Sequence, residues 1–203
     1  MHKLALYIID FIFPPSHLEL ELRLLSRQSA LESLPRAGKP EFPFISAIFD
    51  YKSDLVKEMI WQIKYKKNKH AIRCAAYALQ SRLQDNTMLI PIPISRKRRR
   101  ERGYNQCELI VDEMIKINPN LKKDSNLLMR TRHIDKQTFK NRKERIENIK
   151  NIFEVASALS AIENQEKIAI IDDVTTTGST LREAKDALFK AGFTNVETLA
   201  VAH

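Results

Sequence analysis

The sequence predicts an α/β fold, a parallel sheet flanked by helices, and three observations predict it. Residues 167–172 (KIAIID) are a short apolar run of the kind buried inside a parallel sheet. Residues 88–94 (MLIPIPI) are a second such run. Helical spacing separates these strands, and alternation of strand, loop and helix is the pattern of parallel βαβ units.

Taken from the amino terminus, residues 4–13 read as a short amphipathic helix stopped by Pro14 and Pro15. Residues 18–34 carry apolar side chains at 18, 20, 22, 24 and 25, a spacing that fits helix and strand alike. Pro35, Gly38, Pro40 and Pro43 then break the chain. Residues 44–51 form a strand. Ser53 is placed to cap a helix running to Tyr65, with Leu55, Val56, Met59, Ile60 and Ile63 on one face. Trp61 reads as a core residue of that helix. A second helix covers 69–83, and a third covers 104–117 up to Asn118 and Pro119. Residues 122–150 are charged and are expected to form a basic insertion with some helix. A strand follows at 151–155. After the run at 167–172 comes a helix over 179–191, with Gly192 at its carboxyl cap. The last strand is 196–202.

A chain of 203 residues, 43% hydrophobic, can bury one good core. The expected division is an N-terminal appendage over 1–43 and one domain over 44–203. Four glycines and 29% charged residues fit a compact, helix-rich soluble protein rather than a repeat array or low-complexity chain. The net charge of +9 favours an anionic partner. Cys74 and Cys107 stand alone, so neither a disulfide framework nor a zinc ribbon is expected, and they suit a reducing cytoplasm. The apolar start is too short to span a bilayer and lacks a cleavage site. His2, His17, His70, His133 and His203 show no ligand spacing and read as non-catalytic.

The chemistry concentrates in one string. The strand at 167–172 delivers two adjacent acids, Asp172 and Asp173, at its carboxyl end. Thr175, Thr176, Thr177, Gly178, Ser179 and Thr180 follow, and then a helix begins. Open α/β sheets bind ligands at this edge. Backbone amides at a helix start, with the positive end of its dipole, hold phosphate. Gly178 lets backbone approach closely, and the hydroxyls add donors. Two carboxylates beside such a cradle suit the hydroxyls of a ribose, or a magnesium ion or its waters. The string is neither a Walker A loop nor a dinucleotide GxGxxG turn.

An apolar strand, two acids and a Thr-rich loop with Gly leading into a helix resemble the type I phosphoribosyltransferases. That resemblance implies that Asp172 and Asp173 hold the ribose of phosphoribosyl pyrophosphate and that residues 175–180 hold its 5′-phosphate. Three further strings narrow it. Ile63, Lys64 and Tyr65 follow an amphipathic helix. Ile92, Pro93 and Ile94 lead through a basic run to Arg102, Gly103, Tyr104, Asn105 and Gln106. Arg130 and Arg132 precede Gln137, Arg145, Asn148 and Phe153. Together and in this order they resemble the ComF family, the phosphoribosyltransferase-like proteins associated with bacterial competence. The match runs from about residue 44 to the end. This sequence departs at its start, where Ser16 and His17 stand instead of the family's Cys-x-x-Cys zinc module, so no zinc is expected. Ile134 stands where the family usually has Thr.

The resemblance implies phosphoribosyl transfer, a glycosyltransferase reaction of the pentosyltransferase class, with Mg²⁺. It also implies a role in DNA uptake and a competence helicase-type partner. Charge builds on a leaving pyrophosphate, so cations are required. The segment after Ile94 is where type I enzymes place their pyrophosphate loop, and every residue of 96–102 except Glu101 is cationic. Arg96, Arg102, Asn105, Gln106 and Lys64 are therefore candidate ligand contacts. Residues 130–148 would form a basic hood, with Gln137 and Arg145 as its polar contacts. A second reading is binding of single-stranded nucleic acid. Basic runs at 64–69, 96–102 and 140–145 would follow its backbone, and Tyr65 and Tyr104 would stack on its bases. A third is a sensor that binds the donor without transfer.

Overall fold

The computed structural model describes residues 15–38, 43–131, 152–156 and 167–203. Two short helices come first, α1 (His17–Leu24) and α2 (Arg27–Ser33). They settle the ambiguous spacing of 18–34 in favour of helix, and the caps explain why. The Ser16 hydroxyl accepts from Glu19 N, and Ser26 and Ser29 form a reciprocal capping box. Neither helix has a core of its own. Leu22, Ala30 and Leu34 are buried in the same cluster as Val56, Met59 and Leu79 of the main domain.

Strand β1 (Ile45–Phe49) is followed by α3 (Asp54–Trp61), which passes into a π-helical turn over Gln62–Lys66. Helix α4 (Lys69–Gln80), strand β2 (Met88–Pro91), α5 (Arg96–Arg102), α6 (Gln106–Ile117) and the two-residue β3 (Lys122–Lys123) come next. Strands β4 (Leu128–Arg130) and β5 (Phe153–Val155), then β6 (Ile168–Val174), α7 (Ser179–Lys190) and β7 (Val196–Ala202) complete the described chain.

Five strands form one sheet in the order β1-β7-β6-β2-β3, and every pair is parallel. The fold is the expected one, with β6 in the middle. Helices cover both faces. Ala169 and Ile171 of β6 face the cluster built with α1 to α4 and α6, while Ile168 and Ile170 face the cluster built with α7. Burying each isoleucine of β6 contributes about 1.5–3 kcal/mol relative to exposure. Strands β4 and β5 pair antiparallel as a separate ribbon that the sequence did not reveal.

Two expectations need correction. The basic segment after β2 is not a loop. Ser95 accepts from Arg98 N and starts α5, and Gly103, at φ 78°, ends it in the left-handed conformation that glycine adopts without strain. Trp61 is not a core residue: it is 43% exposed, although it follows the buried Met59 and Ile60. The N-terminal helix over 4–13, Pro40, Ile134 and most of the insertion over 122–150 lie outside the described residues.

The π turn is held from outside. Tyr104 Oη donates to Ile63 O at 2.8 Å and accepts from Lys67 N at 3.1 Å. Lys67 itself takes a left-handed φ of 50°. Tyr104→Phe removes both bonds and leaves two main-chain groups to find water. We expect it to lower unfolding free energy by about 1–3 kcal/mol in urea titration, with the midpoint moving and the slope unchanged.

Candidate functional site

The carboxyl ends of β1, β2 and β6 open onto one cavity of about 770 Å³, within the usual range for small-molecule sites. Its centre is the end of β6. There Asp172 and Asp173 are both buried. Each carboxylate first folds back on the main chain: Asp172 Oδ1 accepts from Asp173 N, and Asp173 Oδ1 from Val174 N, both at 2.8 Å. The second oxygen of Asp173 faces a cation. Lys64 Nζ lies 2.9 Å from Oδ2, and Gln106 Nε2 donates to the same atom at 3.2 Å. Gln106 Oε1 in turn accepts from Arg102 Nη1 at 2.9 Å. A single chain of contacts thus runs Lys64, Asp173, Gln106, Arg102. Burial works against the Lys64 charge, but the Asp173 carboxylate outweighs it and the ammonium is held above its ordinary pKa.

Asp172 lies beside the buried Cys107, whose thiol donates to its Oδ1 at 3.7 Å. Burial, then the Asp172 and Asp173 charges, push the thiol well above its ordinary value, so it stays protonated. Burial and the neighbouring Asp173 raise Asp172 to about 7. Ligand atoms of Cys107, Asp172 and Asp173 all lie within 4.8 Å of one another. A protonated thiol is no ligand for a hard cation, which leaves the two carboxylates as oxygen donors of the right chemistry for magnesium.

The loop after β6 supplies the second part. Thr176, Thr177 and Thr180 line the cavity. Gly178 sits at the N-cap of α7 with φ 69°, and no side chain caps the helix there. No side chain therefore satisfies its first amides, the groups that bind anions at a helix start. Thr175 is buried and donates its N–H to Ala202 O at 3.0 Å, and the Ser179 hydroxyl meets Thr177 Oγ1 at 2.8 Å. Thr175, Gly178 and Ser179 shape the loop without lining the cavity.

Arginines supply the third part. Arg98 and Arg102, one turn apart on α5, line the cavity with Arg130 from β4. Burial lowers the Arg130 pKa, and the nearby Arg98 charge lowers it further. Arg130 Nε is buried with no hydrogen-bond partner among the described residues. Like charges held together around an unpaired donor describe a place for an anion.

Of the residues predicted from sequence, Lys64, Arg102, Gln106, Asp172, Asp173, Thr176, Thr177 and Thr180 meet at the cavity. Arg96 is not part of its lining. Asn105 serves the fold: its side chain caps α6 at Cys107 N and donates to Ile92 O at 3.0 Å. Gln137 and Arg145 lie outside the described residues, as does Asn148. Arg98, Arg130, Glu58 and Trp61 line the cavity without having been singled out as contacts. Arg98 was discoverable, because helical spacing from Arg102 puts both on one face. Among the described residues no helix is long and apolar enough to cross a membrane.

The chain matches no family model. It is 33% identical over 134 residues to Competence protein F of Haemophilus influenzae, covering 65% of this chain and 56% of that protein. It is 27% identical over 151 residues to Competence protein ComFC of Bacillus subtilis, covering 72% of this chain and 58% of that protein. The chain therefore spans somewhat more than half the length of these relatives.

Between about pH 4 and 7 the native state holds a proton on Asp172 that the unfolded chain has already released. Stability from this group is present at low pH and is lost as pH rises through about 7. Asp172→Asn keeps an acceptor for Asp173 N and has nothing to ionise. Urea unfolding from pH 5 to 8 should show falling stability for the native chain and a flatter profile for the variant, with the variant more stable at pH 8. Superimposable profiles would contradict the raised pKa.

Proposed function

The chain belongs to the ComF family, and on that premise we propose that it binds phosphoribosyl pyrophosphate with Mg²⁺ and transfers the phosphoribosyl group. The observation that supports this most is the meeting of three chemistries in one cavity: the acid pair, the threonine loop at an uncapped helix start, and the three arginines. The loop takes the 5′-phosphate, where α7 offers amides and Thr176, Thr177 and Thr180 offer hydroxyls. Asp172 and Asp173 take the ribose hydroxyls. Arg98, Arg102 and Arg130 take the pyrophosphate.

In the reaction the bond from C1 of the ribose to the pyrophosphate oxygen breaks as the acceptor bonds to C1. Negative charge grows on the departing pyrophosphate, and the arginines are already in position to stabilise it. Asp172 and Asp173 are the residues that would hold Mg²⁺, which would supply further positive charge to the site when bound. Little else is asked of side chains, which fits a cavity wall without a histidine among the described residues. Lys64 has a positional role. Its ammonium neutralises Asp173 until a ligand arrives, so the acid pair is not left as two uncompensated buried charges. A role in competence is in keeping with the names of the two relatives; a cytoplasmic setting, DNA uptake and a competence helicase-type partner are further parts of the same proposal.

A second reading, single-stranded nucleic acid on the same surface, is favoured by α5, which has no buried residue, and by Tyr65 beside it with Arg102 Cζ 5.1 Å from its ring centroid. Such binding would fall steeply with salt.

Calorimetry on the full chain with phosphoribosyl pyrophosphate and MgCl₂ tests the first reading. Arg98→Ala and Arg130→Ala should each weaken donor binding by about ten- to hundredfold, and should weaken ribose 5-phosphate far less. No heat at millimolar donor with folded protein would overturn it, and a salt-sensitive shift of single-stranded DNA in its place would favour the second.

A further inference from the structure

The acids at the end of β6 offer oxygens to a divalent cation, yet a cation of the chain itself already stands on one of them. Lys64 Nζ lies 2.9 Å from Asp173 Oδ2. Gln106 Nε2 donates to the same oxygen at 3.2 Å, and Asp173 Oδ1 accepts from Val174 N at 2.8 Å. Both oxygens of Asp173 are therefore engaged, one by side chains and one by main chain. Magnesium could not join an ammonium on one buried oxygen, because the two charges would repel at close range. One of them has to leave.

The geometry decides which group can move. The Lys64 side chain keeps 19% of its surface exposed, against 6% for Asp173. Asp173 sits on β6, which is paired on both sides. The main chain around Lys64 is also fixed, since Tyr104 Oη ties Ile63 O and Lys67 N on either side of it. What can swing is the flexible stem of the lysine. That stem lines the cavity with Arg98, Arg102 and Arg130. An ammonium that lets go of Asp173 therefore enters a space ringed by like charges. With no anion there, those charges press it back onto the carboxylate. With an anion among them, the repulsion is cancelled.

We propose that Lys64 is an exchangeable counter-ion: it holds the cation position of the acid pair before a ligand binds, yields it to Mg²⁺, and moves its own charge to the anionic end of the incoming ligand. The proposal rests on the sugar-phosphate reading above and adds how the metal and anion parts of that site are coupled. Mg²⁺ alone must drive the ammonium into a cluster of arginines, so it binds weakly. Mg²⁺ that arrives with an anion finds a place for both cations, and each ligand raises the affinity for the other.

Lys64→Met keeps most of the length of the side chain and removes its charge. Mn²⁺, a hard cation whose free-ion EPR signal falls on binding, is the probe. The variant should bind Mn²⁺ alone about tenfold or more tighter than the native chain. In saturating MgCl₂ it should bind phosphoribosyl pyrophosphate about tenfold weaker by calorimetry. Lys64→Arg, which keeps the charge, should leave Mn²⁺ binding weak. A lysine that only supported the fold would move both affinities in the same direction. If Lys64→Met unfolds, MgCl₂ should restore its folding in urea titration at matched ionic strength and leave the native midpoint unchanged. Mn²⁺ binding that Lys64→Met does not tighten, donor binding that it does not weaken, or an unfolded variant that MgCl₂ does not restore overturns the inference, and the sugar-phosphate reading survives as long as the native chain binds the donor. A native chain that binds no donor overturns that reading and the transfer of Lys64 to the ligand with it, while the Mn²⁺ titration alone still decides whether Lys64 holds the cation position.

Discussion

The contact between Lys64 and Asp173 is the one on which the rest of the site depends. A carboxylate at the buried end of a central strand cannot stay ionised alone. Its partner must come from another element, reach it without bending the sheet, and leave room above for a ligand. Lys64 does this from a π turn, where the extra main-chain atoms in the ring move it off the regular helical path. Gln106 completes the contact and passes the order on to Arg102. Position in the arginine group is therefore tied to the charge state of the strand end.

Five consecutive residues show how much one short segment can settle. Arg102 faces the cavity, Gly103 stops α5, Tyr104 pins the π turn, Asn105 starts α6, and Gln106 meets Asp173. Two of the five touch the site and three hold its walls. A motif string alone cannot separate these roles, because the same amide or phenol serves either. Tyr104, with its ring beside Lys67 and its hydroxyl on main chain, belongs to the walls; Tyr65, four residues from Trp61, belongs to the open face.

The sheet was legible because its strands are nearly pure apolar runs and its helices carry clear faces. Strand β6, α7 and the loop between them could be located to within a residue or two for that reason. The acid pair and the threonines were legible as a string. What stayed hidden depended on contacts distant in sequence. Lys64 was expected at a pyrophosphate and is found on Asp173, a partner 109 positions further along. A strand was expected at 151–155, but its partner β4 is three residues long, too short for any periodicity to show, and so the pairing stayed hidden. Arginine-rich composition concealed α5, since a run of like charges reads as loop until Ser95 and Gly103 are recognised as its two ends. Trp61 was misread because an indole on an amphipathic helix normally turns inward.

The ribbon has a consequence for how such a protein can change. Arg130 pairs with Phe153, and Thr131 N donates to Ile152 O at 3.0 Å. The stretch between them begins and ends at one tied point beside the cavity. Lengthening a stretch anchored in this way adds only about 0.6 kcal/mol of closure entropy per doubling. Its length and composition are thus free to drift while β6, α7 and the acid pair keep their geometry. Descendants of one scaffold could exchange the stretch between Thr131 and Ile152 as a cassette without having to fold anew.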